Sequence, residues 1–260
     1  MSFTIDLDGR RALVTGSGQG VGRSIALTLA DAGAVVAVND IDASRAASVV
    51  DEIADAGGKA VALPFDVTDW ASVSSAIDGH GGVDILVNNA GNAGAEGFSA
   101  MVPFAETDPA DWPRYFNVNL FGTMHATRAA LPAMIAGNWG RVVNIVSDAG
   151  RYGDARLAPY AAAKAGASGF ARSVAREVGR YNITVNNIAL GTMDTPATAN
   201  AGRDTEEAQA RLKEMLKAYV IRRRGQPDEV AGLVTYLSGP LADWITGQTY
   251  LLNGGYSFSL

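Results

Sequence analysis

Residues 12–32 constrain this chain more than any other stretch. The apolar run Ala12–Thr15 leads into glycines at 16, 18, 20 and 22, and a helical pattern, Val21–Ala32, starts before the glycines end. Glycine disfavours helix and core alike. A backbone that bare, between a strand and a helix, is either a flexible turn or a turn that lets a phosphate approach its amides.

The rest of the chain repeats the strand–helix beat. Strands are expected at Ala12–Thr15, Val35–Asn39, Ala60–Phe65, Ile85–Asn88, Val142–Val146, Thr184–Ile188 and Thr249–Leu252. Most are nearly continuous apolar runs, as in parallel strands covered on both faces. Helical patterns fall at Val21–Ala32, Ser44–Ala56, Ser72–Ile77, Trp112–Ala136, Pro159–Arg180 and Asp228–Ser238. Pro113 suits a helix start, and Pro132 is placed to kink the same segment. The alternation predicts an α/β protein: one domain over 1–260, doubly wound, with a parallel sheet of about seven strands and helices on both faces. No linker or repeat divides it. Two stretches, Asn92–Asp111 and Thr192–Val220, break the rhythm at the carboxyl edge of the sheet, where such folds bind ligands. The second holds a charged helical stretch, Thr205–Lys217, flanked by small residues, and 192–220 reads as a substrate lid.

Composition narrows the function. With 260 residues, 48% of them hydrophobic, the chain can build a large core. A formal charge of −6 argues against nucleic acid as partner. There is no cysteine, and His80 and His125 lack metal-ligand spacing, so neither thiolate chemistry nor a metal site is expected. No run suits a membrane span and the start reads as no signal peptide, so a cytoplasmic protein is expected. His80, in Gly-His-Gly-Gly, suits a surface turn; His125 suits a packed or interface position. Arg222-Arg223-Arg224 is a solvated run, a subunit contact or a patch for an anionic substrate. Trp112 reads as a helix-start anchor.

The second strand ends in Asn39-Asp40, eighteen residues beyond Gly22. An acidic side chain there can accept hydrogen bonds from an adenosine ribose, and it repels a 2′-phosphate. No Lys or Arg occupies 17, 39 or 41 to offset that repulsion, so NAD is expected rather than NADP. A solvated Asp that starts a turn is the plain alternative. Further on, Tyr160 and Lys164 are four apart and share one helix face. A lysine ammonium beside a phenol lowers its pKa, which suits Tyr160 for general acid–base work on an alcohol–ketone pair. Such a pair is also common as a solvated helix face.

These motifs together resemble the classical short-chain dehydrogenases/reductases. The loop has that family's Thr-Gly-x-x-x-Gly-x-Gly form at Thr15, Gly16, Gly20 and Gly22. Matches continue through Asp66-Val67, Asn88-Asn89-Ala90-Gly91, Asn119, Ser147, Tyr160 with Lys164, and Thr195. The tail Arg-Gly-Gln-Pro-Asp-Glu-Val-Ala, Ile-Thr-Gly-Gln and Asn-Gly-Gly is similar too. The resemblance implies a Rossmann-type fold and an NAD(H)-dependent oxidoreductase with catalytic residues Asn119, Ser147, Tyr160 and Lys164. It implies cofactor contacts from Gly16, Ser17, Gly20, Val21, Gly22, Asp40, Asp66, Val67, Asn89, Ala90, Gly91, Tyr160, Lys164, Met193 and Thr195. Asn119 is alternatively a structural amide in a bulged helix, and Thr195 a helix N-cap. Asn88–Gly91 reads as mainly structural, and Thr68-Asp69 as a helix cap.

Three departures stand out: Leu190 where the family usually has Pro, Asp148 where a small neutral residue is commoner, and Asn253 in place of the usual Asp. Asp148 is expected to put a charge near the substrate. The resemblance also implies a homotetramer or homodimer through the helices carrying Asn119 and Tyr160. Apolar residues at the pocket edges (Phe98, Met101, Val102, Phe104, Tyr152, Leu157, Leu190, Met193) suit a hydroxyacyl thioester or an alicyclic alcohol such as a hydroxysteroid. Arg151, Arg156 and Arg222–Arg224 tip the expectation to a coenzyme A ester. A catalytically idle NAD-binding sensor or scaffold is the alternative of another class.

Overall fold

The computed structural model describes residues 5–92, 102–199 and 205–258. The elements run β1 (Arg11–Val14), α1 (Gly20–Asp31), β2 (Val35–Val38), α2 (Ala43–Asp55), β3 (Lys59–Ala62), α3 (Trp70–Gly79) and β4 (Ile85–Asn88). After these come α4 (Pro113–Phe116), α5 (Thr123–Ala136), β5 (Gly140–Ser147), α6 (Ala149–Tyr152), α7 (Ala158–Val178) and β6 (Ile183–Leu190). The chain then forms α8 (Pro196–Ala199), α9 (Glu206–Leu216), α10 (Pro227–Ser238) and β7 (Thr249–Leu252). All strand pairs are parallel, in the order β3-β2-β1-β4-β5-β6-β7. Strand order reverses between β1 and β4, which opens a crevice at their carboxyl ends.

Alternation within each strand feeds two cores. Ala12, Val14, Val36, Val38, Ile85 and Val87 pack against α1, α2 and α10 through Ile25, Leu29, Val49, Val230 and Leu237. Leu13, Leu86, Val142 and Val185 face the other side, against α3, α5 and α7 through Val73, Ile77, Ala130, Val174 and Val178. Asp42 caps α2 by accepting from Ser44 N (2.9 Å), and Asp69 caps α3 by accepting from Ala71 N (3.0 Å). Among the described residues, no helix is long and apolar enough to cross a membrane.

A polar row crosses this apolar sheet. Asn88 Nδ2 donates to Asn144 Oδ1 (2.8 Å) and Asn144 Nδ2 to Asn187 Oδ1 (3.0 Å). Asn187 Nδ2 completes it by donating to Thr249 Oγ1 (3.1 Å). The four residues are aligned partners on β4, β5, β6 and β7. All three asparagines are buried; Asn144 and Asn187 are paired at both ends of their amides, and Asn88 Oδ1 is the one oxygen of the row without a protein partner among the described residues.

Two expected elements come out differently. The segment Trp112–Ala136 is not one α-helix: a π-helical turn, Asn117–Gly122, separates α4 from α5. The Asn119 side chain causes the break by taking the Tyr115 carbonyl, four residues back, at 2.9 Å. α5 continues past Pro132 to Ala136. Strand β3 stops at Ala62 rather than Phe65 because Asn39 Nδ2 takes the Leu63 and Phe65 carbonyls (both 3.1 Å).

Candidate active site

The glycine loop crosses from β1 to the N-terminus of α1, where free amides and the helix dipole favour an anion. A Cβ at Gly22 would stand 2.3 Å from the Gly16 carbonyl and 2.5 Å from Asn89 Nδ2, so only glycine lets the loop fold this tightly. Asn89 Nδ2 holds the loop by donating to the carbonyls of Thr15 (3.0 Å) and Gly16 (2.9 Å). Thr15 Oγ1 accepts from the amides of Asn89 (3.0 Å) and Ala90 (3.1 Å). Ser17 is fully buried, and its hydroxyl donates to the Val14 carbonyl (2.8 Å), so its side chain shapes the loop from below. Val21 follows on the first turn of α1.

Asp40 is buried, and its carboxylate accepts from Gly18 N (3.1 Å), Asp42 N (3.0 Å) and Arg45 Nη2 (2.8 Å). Three donors leave one of its roughly four acceptor positions for a further hydroxyl. Arg45 escaped the sequence reading, which looked for a cation only at 17, 39 and 41. It reaches Asp40 from the first turn of α2 and is 39% exposed. A cation therefore does sit beside the acidic residue. Asp66, in the loop after β3, accepts from Thr68 N (2.8 Å), and Val67 is buried against the second core.

The catalytic candidates converge at the carboxyl ends of β4 and β5. Ser147 is the last residue of β5, and its Oγ accepts from Ala149 N (3.2 Å). Tyr160, on α7, sits close enough to Ser147 for the serine hydroxyl to oppose the rise in the phenol's pKa. Lys164, one turn on, is buried; Nζ donates to the Ile145 carbonyl (3.0 Å) and lies 5.9 Å from the Tyr160 ring centre. A Cβ on Gly91 would lie 2.9 Å from Asn119 Oδ1 and 3.1 Å from Lys164 Nζ, so these three groups meet at one point.

Asn119 is buried, and its amide donates to the carbonyls of Asn92 (2.8 Å) and Tyr115 (2.9 Å). Both amide hydrogens thus serve the bulged helix and its neighbouring loop, while Oδ1, which accepts from Asn92 N (3.2 Å), stands beside Lys164. Met193 is buried and bridges Gly225; Thr195 lies over Gly20, and its amide donates to Thr198 Oγ1 (2.9 Å).

The charge state differs from the sequence expectation. Burial pushes the Tyr160 phenol up, the Ser147 hydroxyl opposes this, and the Asp154 carboxylate adds to the rise. Burial also brings the Lys164 ammonium down to about 8. Desolvation outweighs the Ser147 contribution, so Tyr160 holds its proton at neutral pH.

Other expectations are corrected as well. Asp148 presents no free charge: its buried carboxylate accepts from Ser257 Oγ (2.7 Å) and Asn253 Nδ2 (3.0 Å). Arg151 pairs with Asp148 (3.3 Å), Arg223 with Glu229 (2.6 Å) and Arg224 with Asp194 (3.4 Å). Arg156 and Arg222 are exposed. His80 ends α3, and His125 Nδ1 lies 3.0 Å from the Val67 carbonyl with its ring against Trp70. Phe104 stacks on Trp112, whose anchoring role it fits, whereas Phe98 and Met101 lie outside the described residues.

Comparison with known proteins agrees with this geometry. The family model for short chain dehydrogenase matches residues 10–206. The chain is 38% identical over 256 residues to a 3-oxoacyl-[acyl-carrier-protein] reductase of Aquifex aeolicus (strain VF5), covering 96% of this chain and 98% of the relative. A solved 7 alpha-hydroxysteroid dehydrogenase complexed with NADH and 7-oxo glycochenodeoxycholic acid superimposes with TM-score 0.87 at 38% identity, over 96% and 95% of the two chains. A gluconate 5-dehydrogenase from Burkholderia cenocepacia J2315, in complex with NADP and tartrate, gives 0.88 at 34% identity over 98% of both. With its sheet order, glycine loop and serine–tyrosine–lysine cluster, the chain belongs to the short-chain dehydrogenase family, oxidoreductases that act on CH–OH donors.

Proposed function

We propose that this chain is an NAD(H)-dependent dehydrogenase of secondary alcohols, a single dinucleotide-binding and catalytic domain over 1–260. The observation that carries the reading is Tyr160 one helical turn from buried Lys164, whose Nζ lies 5.9 Å from the phenol ring and meets Asn119 at Gly91, with Ser147 at the end of β5. Gly16, Ser17, Gly20, Val21 and Gly22 would hold the pyrophosphate, Asp40 the adenosine ribose, and Asp66 and Val67 the adenine. Asn89, Ala90, Gly91, Met193 and Thr195 would frame the nicotinamide half. The cradle fits such a group: a side chain at Gly22 would collide, and Asp40 keeps acceptor capacity. When bound, the nicotinamide supplies the hydride donor or acceptor. The chain's own residues do the rest. The Ser147 hydroxyl holds the substrate oxygen and stabilises charge on it. Tyr160 gives its proton to a ketone oxygen in reduction and takes the hydroxyl proton in oxidation. Lys164 stabilises the phenolate and bonds the nicotinamide ribose, and Asn119 holds water that carries the proton outward.

Within that class the geometry best supports a bulky apolar alcohol of the hydroxysteroid type. Tyr152, Leu157 and Leu190 offer apolar area near Ser147, while the arginines that favoured a carrier phosphate are paired within the chain. A hydroxyacyl thioester is the second reading, favoured by exposed Arg156 and Arg222. Residues 192–220, of which 200–204 lie outside the described residues, act as the lid, tethered by Tyr219, whose hydroxyl accepts from Thr192 N (3.0 Å). A homo-oligomer would use the outer face of α5 and α7, where Met124 and Phe170, with Trp70 of α3, line a groove of about 540 Å³.

One screen tests the reading: NAD(H)-coupled turnover of a hydroxysteroid, a 3-hydroxyacyl thioester and gluconate, each repeated with NADP(H). Highest kcat/KM on the steroid with NAD supports it. NADH binding without turnover of any of them would instead favour a sensor or scaffold, and slowed hydrogen exchange over 192–220 on adding NADH and ketone tests the lid.

A further inference from the structure

We propose that the C-terminal residues 253–258 are a working wall of the active site, locked to the catalytic loop by the buried pair Asp148 and Asn253, and that Asp148 is a positioning residue for Ser147 and Lys164. This rests on the reading above, in which Ser147, Tyr160 and Lys164 do the chemistry.

A buried carboxylate is tolerated only when its oxygens are satisfied. Asp148, next to Ser147 in the chain, is 2% exposed. Oδ1 accepts from Ser257 Oγ (2.7 Å) and Arg151 Nη1 (3.3 Å), and Oδ2 accepts from Asn253 Nδ2 (3.0 Å). Position 253 needs both halves of an amide. Nδ2 also donates to the Ser257 carbonyl (3.0 Å), while Oδ1 accepts from Gly255 N (3.0 Å) and folds the tail back on itself. Aspartate would lack the donor and would face Asp148 with a like charge. The two departures at 148 and 253, unrelated in the sequence, are therefore partners across 105 residues, and each requires the other.

The pair reaches the chemistry by two routes. The Asp148 carbonyl accepts from Arg151 N (2.9 Å) and Tyr152 N (2.8 Å), which winds α6 directly after Ser147. That turn rests on α7: a Cβ at Gly150 would lie 2.8 Å from Ala165 N and 3.1 Å from Lys164 Cβ. The tail grips the same loop further out, where the Tyr256 hydroxyl donates to Asp154 (2.7 Å) and its ring meets Tyr152 and Tyr219. Asp154 in turn acts on Tyr160 through its charge. The titratable and charged groups around Asp148 are thus Arg151 on α6, Asp154 and Tyr256 beyond it, and Tyr160 and Lys164 on α7.

The test is Asn253→Asp, with the exchange Asp148→Asn/Asn253→Asp and the milder Ser257→Ala beside it. Two facing carboxylates share a proton at acid pH and repel above it, so the pair titrates as a unit with a raised pKa. Asn253→Asp should lose roughly tenfold or more in kcat relative to wild type at pH 8, and regain most of it near pH 5.5. NADH affinity should stay within about twofold, because the clamp lies outside the glycine cradle. The exchange removes the like-charge repulsion and should restore the shape of the wild-type pH profile, with a residual few-fold loss in kcat because a carboxylate at 253 cannot donate to the Ser257 carbonyl. Ser257→Ala should likewise lower kcat a few-fold with little change in the KM for NAD. In parallel, hydrogen exchange over 148–157 should quicken in Asn253→Asp at pH 8 and not at pH 5.5. Wild-type kcat, profile and exchange in Asn253→Asp would overturn the proposal, as would a pH-independent deficit that the exchange leaves unrelieved. If Asn253→Asp does not fold, wild-type kcat in Ser257→Ala overturns it. If the wild type turns over no alcohol at all, the functional reading falls, while the exchange measurement still decides whether the clamp exists.

Discussion

The two halves of the sheet are built on different plans. On the nucleotide side, β1 to β4 are four residues each, and the polar contacts that shape the loop stay within the first four strands and their exits: Gly18 to Asp40, Ser17 to Asn39, Arg45 to Asp40, and Asn89 to Thr15 and Gly16. On the catalytic side, β5 and β6 have eight residues each, and the decisive contacts join Asp148 to Asn253 and Asp154 to Tyr256, more than a hundred residues apart. A cofactor common to many enzymes can be served by one local motif. A substrate wall has to be assembled from wherever the chain returns.

The sharpest way to separate the halves is to delete the proton-transfer group alone. Tyr160→Phe should keep the fold and NADH affinity while losing about a thousandfold or more in kcat/KM. Near-wild-type turnover would place the chemistry elsewhere. The pH dependence of the wild type sharpens the point. Burial raises the Tyr160 pKa, so its proton is present at neutral pH and ketone reduction should be strongest there, falling as pH rises through the Tyr160 titration. Alcohol oxidation, which needs the phenolate, should instead rise with pH. Lys164 loses its charge above about 8, so that rise should flatten there; a single transition, measured as log kcat against pH, would contradict the pairing.

On the nucleotide side the expected effects are smaller. Asp40→Ala should raise NADP use relative to NAD by roughly ten- to a hundredfold, because it removes a repulsion and frees Arg45 for a 2′-phosphate. Asp40→Ala/Arg45→Ala should lose most of that gain in kcat/KM ratios. Unchanged NADP use in Asp40→Ala would mean that Asp40 plays no part in cofactor choice. Smaller still is Asn144→Ala, which leaves Asn88 Nδ2 with only Thr127 Oγ1 (3.0 Å) and strands the Asn187 acceptor in the core. It should cost about 1–3 kcal/mol in denaturant melts. The smallest concerns Glu229, which Arg223 holds down to about 2. A depressed carboxyl contributes stability above its ordinary pKa and loses it as pH falls toward 2. The pair is about half exposed, so Glu229→Gln should cost under about 1 kcal/mol at pH 7 and nothing near pH 2.

The sequence reading recovered what local chemistry dictates. The strand–glycine–helix junction, Asp40 at the end of β2, and the four-residue spacing of Tyr160 and Lys164 each carry their own signal. Arg45 was missed because only adjacent positions were considered for a cation, whereas one turn of helix brings position 45 back to position 40. The direction of the Tyr160 shift was missed because burial cannot be read from spacing. Asp148 and Asn253 were noticed as oddities but could not be paired without the fold. The asparagines of Val-Val-Asn-Ile-Val and Thr-Val-Asn-Asn-Ile are the one long-range signal that lay in plain view, since a lone amide in an apolar strand calls for a partner.

That row of amides has a mechanical consequence. A parallel strand with apolar residues on both faces can slide against its neighbour without exposing an obvious error, because hydrophobic matching resists the slide only weakly. The asparagines act as an index pin through the sheet. Asn144 and Asn187 stand three residues before Ser147 and Leu190, and Asn88 stands just before Asn89–Gly91. One step of slip moves a strand by about 3.3 Å, more than the reach of a hydrogen bond. The pin therefore sets the height at which Ser147 emerges beside Gly91 and Lys164, and through it the sheet interior calibrates the distance a proton has to travel.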